Sequence, residues 1–346
     1  MAPKKSGALK APQLHVHLEN LSSKQRIYWL TRDLVPAARK RHPDLTTSRV
    51  RVTVGEDFAD LRRQLRTAQV LVIAADALKH PKFPARVFDE APQLRLVQLI
   101  GAGVEFLFPL AWLPLRIQLA TASGVHVEKV REFLQMALLA LNFRLPQILR
   151  NQQRAHWDMI FTPLIRGKAL AVVGLGDMGQ AAVRVGRALG LRVVGVRRSG
   201  KKTAGVERVY RPAHIMSALR DADFIVVAAP LTRESENLLS RDVLRKTKRG
   251  VGIVNVGRAG IVDYAALAAL LRSGHVSGAI LDVFSPEPLP KSAKLWSTPN
   301  VILTPHVSSD DLEGYMHNVM DVACENIRRM LAGRPLTNIV DRESGY

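Results

Sequence analysis

Three ionisable side chains in the C-terminal half are placed where chemistry would need them. Arg258 follows the apolar run VGIVNVG, Glu287 follows a run that closes in Asp282-Val283-Phe284, and His306 follows VILTP. Each run reads as a buried strand, so each side chain lies just past a strand's carboxyl end. Strand ends at one edge of a parallel sheet lie side by side, and residues far apart in sequence can converge there. An arginine suits bidentate binding of a carboxylate. A histidine beside a carboxylate is held in one orientation and can give or take a proton near neutral pH. Glu287 sits between Pro286 and Pro288, whose fixed φ angles stiffen its loop. Taken singly, Arg258 would pass for a surface charge, Glu287 for a solvated turn residue and His306 for a capping or core histidine.

What makes the three informative together is residues 168–198. KALAVVG, LGDMG, QAAVRVGRALG and LRVVGVRR read as strand, glycine turn, helix and strand. The turn carries GxGxxG as Gly174, Gly176 and Gly179, in the setting a dinucleotide fingerprint requires. Gly174 makes the tight turn, Gly176 lets a pyrophosphate approach the backbone, and Gly179 lets helix and strand pack. Amides at the helix start, near Asp177 and Met178, would hold the phosphates. With a nicotinamide bound at that edge, an anion clamp, a proton donor and its carboxylate suit the reduction of a 2-oxo acid.

Strand and helix alternate on both sides of this stretch, which predicts an α/β fold with parallel sheets. Strands are expected at 13–20, 50–54, 70–75, 94–100, 115–121, 222–229, 251–256, 276–283 and 301–304. Helices are expected at 25–40, 58–66, 82–90, 213–219, 237–245, 264–273 and 312–332. One long helix is expected over 125–145. It is apolar on several sides, so it should be buried between domains or in a subunit interface. The turn after strand 94–100 offers the amides of Ala102 and Gly103 to an anion such as a substrate carboxylate, or serves connectivity alone.

At 346 residues the chain suggests two domains. No apolar run approaches the ~18 residues of a membrane span, and the basic N-terminus lacks the apolar core of a secretory signal. That N-terminus reads as a disordered tail. The single Cys324 excludes an internal disulfide, no metal site is expected, and a cytoplasmic protein fits best. The formal charge of +20 could attract nucleic acid, but the basic residues are spread and aromatics are only 5%, too few for a base-stacking surface. His15 and His17 share a strand face; with no carboxylate evident nearby, they read as a polar face rather than a metal site.

The chain resembles the D-isomer-specific 2-hydroxyacid dehydrogenases. The resemblance rests on GLGDMG at 174–179, NVGRAGIVD at 255–263, DVFSPEPL at 282–289 and TPHVSS at 304–309, with AGVE at 102–105 and PLT at 230–232. It runs from about residue 94 to the C-terminus. It implies two Rossmann-like, doubly wound parallel-sheet domains with the substrate domain discontinuous: residues 1–122 and 307–346 around a dinucleotide domain at 123–306. It also implies a homodimer through the helix near 125–145. Carried over, Arg258 binds the substrate carboxylate and carbonyl, His306 is the general acid–base, and Glu287 is its partner. The amides of Ala102 and Gly103 hold the carboxylate, Asp282 contacts the nicotinamide carboxamide or nearby substrate groups, and Pro230 and Ser308 line the cofactor.

One departure from the family's NAD-preferring members sets the cofactor expectation. Those members carry an acid about 20 residues after the glycines, to accept from the ribose 2′-hydroxyl. Here the position is Arg197, followed by Arg198 and Ser199, which suit a 2′-phosphate. NADP(H) is therefore expected over NAD(H), with glyoxylate- or hydroxypyruvate-like substrates by analogy. Phe106, Phe108 and Trp112 would admit a larger apolar substrate. Glu287 argues against formate oxidation, where relatives carry glutamine, and no long C-terminal extension of the phosphoglycerate dehydrogenase kind is expected. The alternative is an NAD(H)-sensing interaction protein like the transcriptional co-repressors on this fold. Those keep the same trio, and Arg197-Arg198 counts against them.

Overall fold

The computed structural model describes residues 13–20, 28–84 and 86–343. The N-terminal tail lies outside the described residues. The chain divides into two compact units, Met1–Val125 with Asp311–Tyr346, and His126–Asp310. The crossings fall three and four residues beyond the boundaries expected at 122 and 306, which leaves Ser308 in the second unit with His306.

The first unit begins with β1 (Leu14–Glu19), α1 (Leu34–Arg41), β2 (Val50–Gly55), α2 (Phe58–Leu65), β3 (Val70–Ile73), β4 (Leu96–Leu99) and β5 (Gln118–Ala120). The helix expected at 25–40 is thus shorter, although 21–27 lie outside the described residues. No helix forms among the described residues of 82–90, where Arg86 takes a left-handed conformation, φ 62°, that a helix cannot contain. All strands pair in parallel, in the order β2-β1-β3-β4-β5. β3 and β4 are buried at every position, as strands covered on both faces must be.

The second unit opens with α3 (Val127–Asn142) and α4 (Leu145–Gln153), so the long helix expected over 125–145 is two. Arg144 breaks it in a left-handed conformation, φ 56°, and Pro146 opens the next helix. Then come β6 (Ala169–Val173), α5 (Asp177–Ala188), β7 (Arg192–Val196), β8 (Arg208–Tyr210), α6 (Ile215–Leu219), β9 (Phe224–Val227), α7 (Arg241–Arg245), β10 (Val251–Asn255), α8 (Tyr264–Arg272), β11 (Val276–Leu281) and β12 (Val301–Leu303). The sheet is parallel throughout, ordered β12-β11-β10-β9-β6-β7-β8. Six of these strands follow the Rossmann order, which reverses direction between β6 and β9 and opens a crevice there. α9 (Tyr315–Leu331) returns to the first unit, where Tyr315 donates to the Ile100 carbonyl at 2.7 Å.

The face of β1 that carries His15 and His17 is polar and buried. His15 Nε2 and His17 Nδ1 each lie 2.8 Å from Thr53 Oγ1, and His17 Nε2 lies 3.1 Å from Glu19 Oε2. Glu19, two residues on, is the carboxylate the sequence reading overlooked. Burial pushes His15 down to about 4, helped by the charges of Arg51 and His17, and it pushes Glu19 up. Every ring nitrogen already has a partner, so the group is a core hydrogen-bond line. Among the described residues no cluster of three or more His, Cys, Asp or Glu could hold a metal. Cys324 is a buried core residue whose thiol burial raises to about 12. No helix among the described residues is long and apolar enough to cross a membrane.

Candidate active site

The glycine turn lies at the crevice. Gly174 has φ 93°, and a Cβ there would come within 2.5 Å of the Ala229 backbone at the end of β9. A Cβ on Gly179 would sit 1.9 Å from the Gly174 carbonyl oxygen, so the helix can approach the strand only as glycine. A Cβ on Gly176 would meet nothing within 4 Å. That open space stands at the start of α5, which no side chain caps, so the amides at Asp177 and Met178 face it uncovered. Open room beside uncapped amides fits a pyrophosphate.

On either side of this turn lie two further loops. Past β7, Arg197 donates from Nη1 to Thr203 Oγ1 at 3.3 Å, and Gly200 N donates to the Arg197 carbonyl at 3.1 Å. Ser199 Oγ accepts from Lys201 N at 3.3 Å, while Arg198 and Ser199 are exposed. Residues 197–203 carry four cations and no acid. Past β9, Pro230 is exposed and its carbonyl accepts from Ser235 Oγ at 2.7 Å. The same hydroxyl accepts from Thr232 N at 2.8 Å, so buried Ser235 sets the loop.

Arg258, Glu287 and His306 follow β10, β11 and β12 at the same edge. Asn255 is fully buried; it accepts from Gly257 N at 3.0 Å and donates to the Arg258 carbonyl at 3.1 Å and to Tyr264 Oη at 3.0 Å. The Tyr264 hydroxyl donates in turn to the Val283 carbonyl at 2.8 Å, tying the ends of β10 and β11 together. Arg258 Nη1 donates to the Gly257 carbonyl at 2.8 Å. Glu287 is anchored by one oxygen, which accepts from Phe284 N at 2.7 Å; its other oxygen lies 2.7 Å from His306 Nδ1. In a neutral ring paired to a carboxylate, Nδ1 carries the proton, which leaves Nε2 to face a ligand.

His306 has φ 55°, a conformation that a residue with a Cβ adopts at a cost. What holds it is Asp282, 0% exposed. One oxygen accepts from Thr304 Oγ1 at 2.6 Å and Val307 N at 2.9 Å, and the other from Ser308 N at 3.0 Å. Asp282 is thus the anchor of the His306 loop, a role that its place at a strand end does not announce. Ser308 is likewise buried within that anchor.

Two neighbours register the convergence electrostatically. Burial pushes His126 down, and the positive charges of Arg258 and His306 add to the effect; its Nδ1 lies 3.4 Å from the Ser309 carbonyl. Burial pushes the Tyr264 hydroxyl up, and the negative charges of Glu287 and Asp282 push it the same way. His126, Tyr264 and Ser235 lie outside the quoted motifs, and Asn255 opens NVGRAGIVD without announcing its role, because only tertiary contact gives these residues one.

In the first unit, Ala102 and Gly103 follow β4 in a turn where the Gly101 carbonyl accepts from Ala122 N at 2.9 Å. Neither amide meets an acceptor among the described residues. Phe108 and Trp112 pack against this unit's core, and Trp112 Nε1 donates to the Leu107 carbonyl at 2.9 Å, so only Phe106 of the three expected pocket aromatics stands exposed.

Comparison with known proteins agrees with this geometry. Residues 135–308 match the family model described as D-isomer specific 2-hydroxyacid dehydrogenase, NAD binding domain. A glyoxylate reductase of Aeropyrum pernix is 30% identical over 266 residues, covering 74% of this chain and 79% of the relative. A D-isomer specific 2-hydroxyacid dehydrogenase of Xanthobacter autotrophicus, solved with NADPH, is 30% identical with a TM-score of 0.79, over 97% of this chain and all of that one. An NADPH-dependent glyoxylate/hydroxypyruvate reductase of Sinorhizobium meliloti, solved with NADP and sulfate, is 26% identical with a TM-score of 0.77, over 96% of this chain and all of that one.

The anchor can be tested by stability. Asp282→Asn keeps the side chain's shape but turns an amide group towards backbone or hydroxyl donors, and should cost about 2 kcal/mol in urea unfolding of the second unit. A loss below about 0.5 kcal/mol would remove Asp282 as the loop's anchor.

Proposed function

Because the chain belongs to the D-isomer specific 2-hydroxyacid dehydrogenase family, a family of oxidoreductases, we propose that it reduces a small 2-oxo acid to the D-2-hydroxy acid with NADPH. The observation that carries this reading is the 2.7 Å contact of His306 Nδ1 with Glu287, which leaves Nε2 as the exchanging nitrogen. Gly174, Gly176 and Gly179, with the amides of Asp177 and Met178, hold the pyrophosphate of a nicotinamide dinucleotide, and the Pro230 loop lines its cleft. Asp282 and Ser308 serve that side by fixing the loop that carries His306. When bound, the reduced nicotinamide supplies a hydride to the carbonyl carbon.

The rest falls to this chain. Arg258 pairs with the substrate carboxylate and polarises the carbonyl, and the first unit offers the amides of Ala102 and Gly103 as carboxylate donors. In the imidazolium form His306 donates the Nε2 proton that turns the developing alkoxide into a hydroxyl, which leaves the neutral Nδ1–H ring, and in the reverse direction Nε2 of that neutral ring takes the proton back. Glu287 keeps the ring in the tautomer and orientation this requires. Arg197, Arg198 and Ser199 bind the 2′-phosphate, in a loop with no acid to repel it. The names of the Aeropyrum and Sinorhizobium relatives support glyoxylate or hydroxypyruvate as the substrate class. Relatives that are reductases disfavour the co-repressor reading.

A homodimer is part of the proposal. Met136, Phe143, Ile148 and Leu149 on α3, α4 and their junction are exposed, and in the following segment Trp157 is 91% and Phe161 87% exposed. So much apolar surface suits a second copy of the chain.

Two experiments decide these points. A panel of 2-oxo acids offered with NADPH and with NADH should show turnover that favours NADPH, and His306→Ala should lower kcat by at least about a hundredfold with NADPH binding retained. No turnover across the panel would end the reductase reading, and a near-native His306→Ala would end the proton-donor assignment. Sedimentation equilibrium should give twice the 38.2 kDa chain mass, and Trp157→Asp with Phe161→Asp should halve it. A monomeric wild-type protein at micromolar concentration would contradict the dimer.

A further inference from the structure

The loop past β7 holds more positive charge than Arg197 and Arg198 account for. Residues 197–211 carry Arg197, Arg198, Lys201, Lys202, Arg208 and Arg211 against one acid, Glu207. Arg208 is occupied, its guanidinium 5.2 Å from the Tyr210 ring centroid. Glu207 precedes β8, whereas Arg211 follows it, so the acid and Arg211 lie at opposite ends of the strand.

Arg211 is placed by the same turn that presents Arg197. Gly200, at φ 63°, closes that turn by donating to the Arg197 carbonyl, and Arg197 N donates to the Tyr210 carbonyl at 3.0 Å. A Cβ on Gly200 would lie 3.1 Å from Arg211 Cγ and 3.3 Å from its Nε. The Arg211 side chain therefore runs across the crown of the turn, where a Cβ on Gly200 would crowd it. It is exposed, and among the described residues no carboxylate pairs with it.

We propose that Arg211 is a third guanidinium of the subsite for the 2′-phosphate of the adenosine half of NADP(H), laid over Gly200 beside Arg197 and Arg198. This rests on the NADP(H) reading above. A dianionic phosphate presents three acceptor oxygens, and two guanidiniums and a hydroxyl leave room for a further fork. Arg211 then acts on the choice between phosphorylated and unphosphorylated ribose, with no part in the proton or hydride step.

Binding of 2′,5′-ADP and of 5′-AMP to the full-length protein, followed by calorimetry, separates the possibilities. Arg211→Met should weaken 2′,5′-ADP about tenfold and 5′-AMP less than twofold. Gly200→Ala, whose Cβ would crowd Arg211 and whose φ of 63° strains the turn, should weaken 2′,5′-ADP as well. If the wild type prefers 2′,5′-ADP and Arg211→Met leaves that preference intact, Arg211 is excluded while the NADP(H) reading stands. Equal losses for both nucleotides would make Arg211 a structural residue and also overturn the inference. A wild type with no preference for 2′,5′-ADP would overturn the NADP(H) reading itself.

Discussion

Asp282 ends β11 without exposed surface, and its carboxylate is taken up by Thr304, Val307 and Ser308. A buried carboxylate is tolerable only when donors replace the water it has lost. Here all three come from the short loop that carries His306. The cost of burying the charge and the cost of holding His306 at φ 55° are therefore met by one arrangement. Releasing the loop would leave the carboxylate without its donors, so the left-handed histidine persists. The aim of Nε2, and with it the chemistry proposed for this edge, depends on that restraint.

The same logic recurs at each loop of the edge. Glu287 is pinned by the Phe284 amide before it meets His306, Asn255 and Tyr264 join the ends of β10 and β11 beneath Arg258, and Ser235 gathers the loop of Pro230. A parallel sheet brings strand ends together, but it does not orient the side chains beyond them. That is left to hydrogen-bonded polar groups beside them: Asn255, Ser235 and Asp282 are buried, whereas Glu287 is exposed and held by the Phe284 amide. The glycine turn needs no such bracing, since close approach of Ala229 and the Gly174 carbonyl already dictates its shape.

Much of this was legible in the sequence. Apolar runs located most strands of both sheets, because strands buried on two faces have few polar interruptions. Gly174, Gly176 and Gly179 announced the turn, and the family's motifs placed Arg258, Glu287 and His306. The failures have local causes. The helix expected at 82–90 is broken at Arg86, φ 62°, and the long helix at Arg144, φ 56°, and neither position has a glycine or proline at the break itself to betray it. β8 has three residues on a sheet edge, too few for a period to show. The burial of the polar face of His15 and His17 did not show because alternation cannot tell solvent from a buried partner such as Thr53. The anchoring role of Asp282 did not show in the sequence for a deeper reason: an aspartate at a strand end looks the same whether it faces a ligand or the next loop. Arg211 was invisible as a candidate because only the fold lays it across Gly200.

The central claim is that Glu287 and the Asp282-anchored loop fix His306 in a single tautomer with Nε2 free. Long-range proton–nitrogen NMR of the His306 ring in the free protein tests it most directly. The account predicts that the neutral ring carries its proton on Nδ1 alone. A neutral ring protonated on Nε2, or a mixture of the two tautomers, would contradict it.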